Sequence, residues 1–129
     1  MEPTLEEYSI IIFDKISYKF TNPKKDDLVA FKAEGPLLTY SNGKYFVKRV
    51  IGVPGDHIVI EDNQVFINGN LIYEPYLRAT CNTTGDIDIV VPNDHLFVMG
   101  DNRNNSSDSR DSRIGLVSYS SIIGKIAFK

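Results

Sequence analysis

Turn-forming residues recur along this chain at intervals that leave room for short strands and for little else. Pro23-Lys24-Lys25-Asp26, Asn42-Gly43, Asp62-Asn63 and Asn68-Gly69 interrupt it. Asn-Gly is the strongest of these signals, because a two-residue type I′ turn needs positive φ at both central positions. Between the turns lie apolar, β-branched runs at Ser9–Lys15, Asp27–Lys32, Lys44–Ile51, His57–Glu61, Gln64–Asn68 and Leu71–Tyr73, with later ones at His95–Met99 and Ile122–Phe128. No segment sustains a 3.6-residue apolar stripe over three turns. The expected class is therefore mainly β, a barrel or coiled antiparallel sheet whose closure protects its edges. From Glu74 to Pro92 the pattern loosens, and residues 74–92 read as an excursion or small subdomain. Asn82-Thr83-Thr84 within it fits the N-glycosylation pattern, a three-residue match of little weight.

With 129 residues, the chain suffices for one domain with a core, taken here as residues 1–129. Its 14 basic and 17 acidic side chains give a net charge of −3, which speaks against a nucleic-acid-binding domain. The single cysteine, Cys81, cannot form an internal disulfide, and no Cys/His cluster has zinc spacing, so neither metal nor cofactor is expected. Apolar runs such as Ile10-Ile11-Ile12-Phe13 are too short to span a bilayer.

Two stretches place polar residues where a structural strand would not choose them. Along Lys44–Ile51, alternation puts Phe46, Lys48 and Val50 on one face. A lysine between two apolar neighbours is desolvated, which lowers its pKa and makes it a competent general base. The competing interpretation is an edge-strand lysine that snorkels to water or discourages sheet pairing. The second stretch, Gly100-Asp101-Asn102-Arg103-Asn104-Asn105-Ser106-Ser107-Asp108-Ser109-Arg110, leaves an apolar strand abruptly and is dense in hydroxyls and paired charges. It is either a solvated loop or a set of groups that orients a buried amine.

These stretches, together with Met1-Glu2-Pro3-Thr4-Leu5, Asp27-Leu28-Val29-Ala30-Phe31 and Gly52-Val53-Pro54-Gly55-Asp56, resemble the sequence boxes of bacterial type I signal peptidases, in the same order. The resemblance runs from Met1 to the final strand and is weakest between Glu74 and Pro92, where the short excursion is similar to that of Gram-positive members. It implies a serine endopeptidase that removes signal peptides from exported preproteins with a Ser/Lys dyad. Lys48 matches the general base, and Ser106 the serine that orients it. Arg49 and Asp101 match charged residues bracing the site, while Asp108 and Arg110 match an ion pair behind it. Met1, Leu5, Phe46 and Val47 fall where that family lines its shallow substrate pockets.

The family pattern has its nucleophilic serine immediately before Met-x-Pro-Thr-Leu, and here Met1 opens the sequence. Ser9 is too far along the chain to replace it. The expectation is that serine and membrane anchor both lie upstream of Met1, that the catalytic domain sits on the extracytoplasmic face, and that this polypeptide alone is inactive. The alternative is a non-catalytic relative, such as an assembly factor for pilins or other surface proteins. A self-cleaving repressor type shares a Ser–Lys β domain, but the Gly-Asp-Asn-Arg box is not its signature. Asp26 also departs from the pattern, standing where the family has glycine.

Overall fold

The computed structural model describes residues 12–14, 21–32, 45–77, 82–106, 108–111 and 114–128. Ten strands are found there: β1 (Ile12–Asp14), β2 (Leu28–Lys32), β3 (Tyr45–Gly52), β4 (His57–Glu61), β5 (Gln64–Ile67), β6 (Asn70–Leu71), β7 (Ile87–Val90), β8 (His95–Met99), β9 (Val117–Ser118) and β10 (Ile122–Phe128). They form two antiparallel sheets, one ordered β1-β10-β2-β3-β8-β9 and the other β6-β5-β4-β7. The chain is mainly β and antiparallel, as its turn spacing demands. None of the helices among the described residues is long and apolar enough to cross a membrane.

Local chemistry accounts for the second sheet. Asp62 and Asn63 both take positive φ, and their flanking residues Glu61 and Gln64 pair directly, which makes a two-residue hairpin turn. Asn68 and Gly69 repeat the device between Ile67 and Asn70. Asp26 adopts φ +71, the left-handed conformation that glycine enters freely. The turn thus keeps a glycine-like backbone with an aspartate in place, a side chain among the few that tolerate it.

Two apolar clusters flank the strands β3 and β8. Val29, Phe31, Val50, Leu96, Val98, Ile114 and Val117 build one. Ile51, Ile58, Ile60, Val65, Ile67, Val91, Phe97 and Met99 build the other. Alternate residues of Leu96-Phe97-Val98-Met99 go to opposite clusters, so β8 is buried on both faces and reads as an unbroken apolar run. Each such side chain stabilises the fold by about 1.5–3 kcal/mol when fully buried.

Where the sequence pattern loosens, the structure adds a strand. β7 pairs with β4 through His57↔Val90 to Ile60↔Ile87, so the latter part of stretch 74–92 belongs to the second sheet. Ile87 and Ile89 pack on the second cluster, while Asp88 and Val90 face water. A half-polar strand beside a turn carries too weak a signal to stand out. The two-residue β9 likewise has no period to read, and of the expected run Leu71–Tyr73 only Leu71 belongs to β6, with Ile72 and Tyr73 outside it. Of the expected first strand, Ile12–Asp14 is described. Asn42-Gly43, Cys81 and Ser9 lie outside the described residues.

Candidate active site

β3 projects successive side chains toward different surroundings. Lys48, opposite Val29 of β2, shares its face with Phe46 and Val50, which pack with the first cluster. Arg49, opposite Met99 of β8, shares the other face with Ile51 of the second cluster. After Met99 the chain leaves β8 and folds back along it. The Ser109 backbone N–H donates to the Val98 carbonyl over 3.1 Å, and the Val98 N–H donates to the Ser109 hydroxyl over 2.9 Å. That return brings Ser106 to Lys48, whose Nζ donates to the Ser106 Oγ over 2.9 Å.

The amine is half-buried and stands 5.9 Å from the centroid of the Phe46 ring. Burial pushes it below the usual lysine value, the Asp108 carboxylate pulls it back up, and Arg110 adds to the lowering. Asp108 is fully buried and already committed. It accepts from Arg110 Nε at 2.9 Å and Nη2 at 3.0 Å, and from the Gly100 N–H at 3.1 Å. A carboxylate so occupied compensates the amine only in part.

Beneath the pair lies Gly100. A Cβ placed there would stand 2.2 Å from Ser106 Oγ and 3.4 Å from Lys48 Nζ. Only a residue without a side chain admits the contact.

Across the strand, Arg49 and Asp101 form a two-pronged ion pair at 2.9 and 2.8 Å, with Asp101 fully buried. Arg49 also donates to the Asp26 carbonyl at 3.1 Å and stacks its guanidinium 3.9 Å from the Tyr76 ring centroid. Burial works against its charge, but Asp101 outweighs burial and holds its pKa above the ordinary value.

Arg103 is 2% exposed. It donates to the Gly100 carbonyl at 2.8 Å, to the Thr83 hydroxyl at 2.9 Å, and to the Glu74 carboxylate. Tyr76 donates to the same Glu74 oxygen at 3.1 Å; burial, then the Glu74 charge, push its phenol well above the usual range. A cleft of about 340 Å³ opens beside Ser106, between Thr84-Gly85 and the loop residues Asn104, Arg110 and Asp111. Among the described residues, no group of three or more His, Cys, Asp or Glu could hold a metal ion.

The structure therefore brings Lys48, Ser106, Asp108 and Arg110 together on one side of β3, and Arg49 with Asp101 on the other. Phe46 and Val47 are half-buried beside Lys48; Met1 and Leu5 lie outside the described residues. Sequence reasoning missed Gly100, Ser109, Glu74, Tyr76 and Thr83, and left Arg103 without a role. Arg103 could have been singled out from its Gly-Asp-Asn-Arg context. Glu74, Tyr76 and Thr83 meet it across 20 or more residues, and no local spacing announces such contacts.

The whole chain, residues 1–129, matches the family model described as signal peptidase, peptidase S26. It is 38% identical over 110 residues to a probable signal peptidase I-2 of Synechocystis, an alignment covering 84% of this chain and 50% of that protein. A signal peptidase I of Bacillus caldolyticus is 35% identical over 142 residues, spanning all of this chain and 73% of the relative. The chain thus spans about half the length of the first relative and more of the second. The fold is similar to that of a signal peptidase I from Enterococcus faecalis, with a TM-score of 0.64 and 30% identity over 81% of this chain and 97% of that one.

Proposed function

The chain belongs to the signal peptidase family, and from that premise we propose that it is the catalytic part of a membrane-anchored serine endopeptidase. Its substrates are the signal peptides of exported preproteins, cleaved on the extracytoplasmic face, and Lys48 is the general base. The observation that carries this reading is the 2.9 Å approach of a half-buried amine to the Ser106 hydroxyl.

A serine hydroxyl attacks a peptide carbonyl only when a base takes its proton. Lysine does so when neutral, and burial supplies that state in place of a histidine–aspartate pair. The nucleophile is the serine that the family pattern puts immediately before Met1. Its Oγ attacks the scissile carbonyl while Lys48 accepts the proton, and backbone N–H groups at the nucleophile stabilise the resulting oxyanion. The Lys48 ammonium then protonates the leaving amine, which releases the mature chain and leaves an acyl-serine. The amine, neutral again, takes a proton from water, whose oxygen attacks the ester; the ammonium returns that proton to the departing serine oxygen, and the signal peptide is freed. Ser106 orients the amine throughout, and Asp108–Arg110 and Arg49–Asp101 brace the loop and the strand. Phe46 and Val47, with Met1 and Leu5, line shallow pockets that reject large side chains near the cleaved bond.

The test uses a polypeptide with serine directly ahead of Met1 and a preprotein substrate. Lys48→Ala should lower kcat on the order of 10²–10⁴-fold, the usual contribution of a positioned base. Cleavage undiminished by that substitution would rule out the base assignment. If the serine-bearing polypeptide cleaves nothing at all, a non-catalytic assembly factor becomes the better description.

A further inference from the structure

We propose that Glu74, Tyr76 and Thr83, on the segment linking β6 to β7, are positioning residues that act through Arg103 to hold Ser106 against Lys48. This inference rests on the assignment of Lys48 as the base.

Every polar group of the Arg103 side chain is engaged away from solvent. One nitrogen reaches the Gly100 carbonyl at 2.8 Å, within the loop that carries Ser106. The other two reach the linking segment, at the Thr83 hydroxyl (2.9 Å) and the Glu74 carboxylate. Thr83 is itself 3% exposed, so its hydroxyl was buried to meet this guanidinium. Tyr76 donates to Glu74 and lies against Arg49 at 3.9 Å and Arg103 at 6.0 Å, tying the linker to both guanidiniums. The Arg103 carbonyl accepts from Arg110 at 3.1 Å, and Asn104 accepts from the Asn82 N–H at 3.0 Å. The loop thus has anchors at Gly100, Arg103 and Asn104 on one side of Ser106 and at Asp108 and Arg110 on the other. Ser106 stands 2.9 Å from the amine and within van der Waals reach of Gly100, where small displacements break the pair.

A buried guanidinium that loses one acceptor keeps the desolvation cost without its compensation, and the cheapest relief is to let water in. The loop that Arg103 anchors at the Gly100 carbonyl would then shift, which carries Ser106 away from Lys48 and uncovers the amine. Among the described residues, the charged groups that act on that amine are Asp108 and Arg110, whose effects on it oppose one another. They are locked in a mutual ion pair and move together. On β2 its register partner is the apolar Val29. Burial is therefore what a loosened loop takes away, and the amine then titrates higher.

The experiment follows the Lys48 ¹³Cε shift against pH by NMR in the 129-residue chain, assigned with Lys48→Ala. Thr83→Val removes the acceptor at nearly constant volume and introduces no charge; Thr83→Ser restores a hydroxyl. The expected result is a Lys48 midpoint below the ordinary lysine value in the parent, raised in Thr83→Val and returned in Thr83→Ser. In the serine-bearing polypeptide, kcat of Thr83→Val should fall on the order of tenfold with KM unchanged, and the acid limb of the pH–rate profile should move up. An unchanged midpoint in Thr83→Val beside a lowered parental one overturns the inference and leaves the base assignment standing. Equal upward shifts in both Thr83 variants overturn it too, since the hydroxyl would not be the cause. A parental midpoint at the ordinary lysine value removes the base assignment itself, and this inference with it. Should Thr83→Val not fold, Glu74→Gln serves in its place. Losing that negative charge would directly lower a nearby amine, so an upward shift reports the loosened loop, and no upward shift refutes it.

Discussion

Gly100 and Ser106 meet so closely that a methyl group on the glycine would stand 2.2 Å from the serine hydroxyl oxygen. The contact makes the identity of residue 100 a condition for the Lys48–Ser106 pair, although Gly100 carries no reactive group. Gly100→Ala should therefore displace Ser106 and lower kcat on the order of 10²-fold. The overpacking should cost about 1–3 kcal/mol in stability. Steady-state kinetics of the serine-bearing polypeptide and urea unfolding check the two expectations separately. Unimpaired turnover would show that Ser106 need not sit where it does.

Arg49 and Asp101 are a buried pair with two charge-assisted hydrogen bonds, and removing the carboxylate leaves the Arg49 guanidinium to weaker partners such as the Asp26 carbonyl and the Tyr76 ring. Asp101→Ala should destabilise the fold by about 3–5 kcal/mol. The measurement is the shift in urea midpoint at constant m-value.

Lys48 links stability to pH. Its folded pKa lies below the ordinary lysine value of 10.5, chiefly through burial. Between the folded value and 10.5, the unfolded chain binds more protons than the folded one, so stability rises with pH through that window. It is lost again as pH falls through the folded value. Relative to Lys48→Met, the parent chain should therefore gain stability as pH rises through this window. Paired urea titrations across pH read the difference, and a constant gap would contradict a desolvated amine. The cleavage rate should show an acid limb at the same folded value, because only the neutral amine accepts a proton.

Asp26 holds φ +71 in an exposed turn, a backbone conformation that glycine enters freely. Asp26→Gly should stabilise the chain by about 0.5–1 kcal/mol, since glycine adopts this backbone without steric cost. Thermal unfolding tests it, and a lowered Tm would mean that the aspartate side chain contributes more than its backbone costs.

Much of the architecture can be read from local pattern because β structure writes short periods into sequence. The hairpins at Asp62-Asn63 and Asn68-Gly69 follow from residues that accept positive φ, and β8 from an unbroken apolar run between polar ends. Strand β7 escaped because only Ile87 and Ile89 face the core, with Asp88 and Val90 left in water. Alternation sufficed to put Lys48 on the face of Phe46 and Val50. It could not say whether the amine there would reach water or a partner.

By itself, then, the sequence determined the strand class, the turns and the face that Lys48 occupies, since each depends on residues within a few positions of one another. Folding decided that a hydroxyl 58 residues further on meets the amine, that Gly100 leaves it room, and that Glu74 and Thr83 secure Arg103. Polar contacts of that range depend on how two sheets and the loops between them close over one another. Their energy lies in burial shared between distant segments, and no local spacing records it.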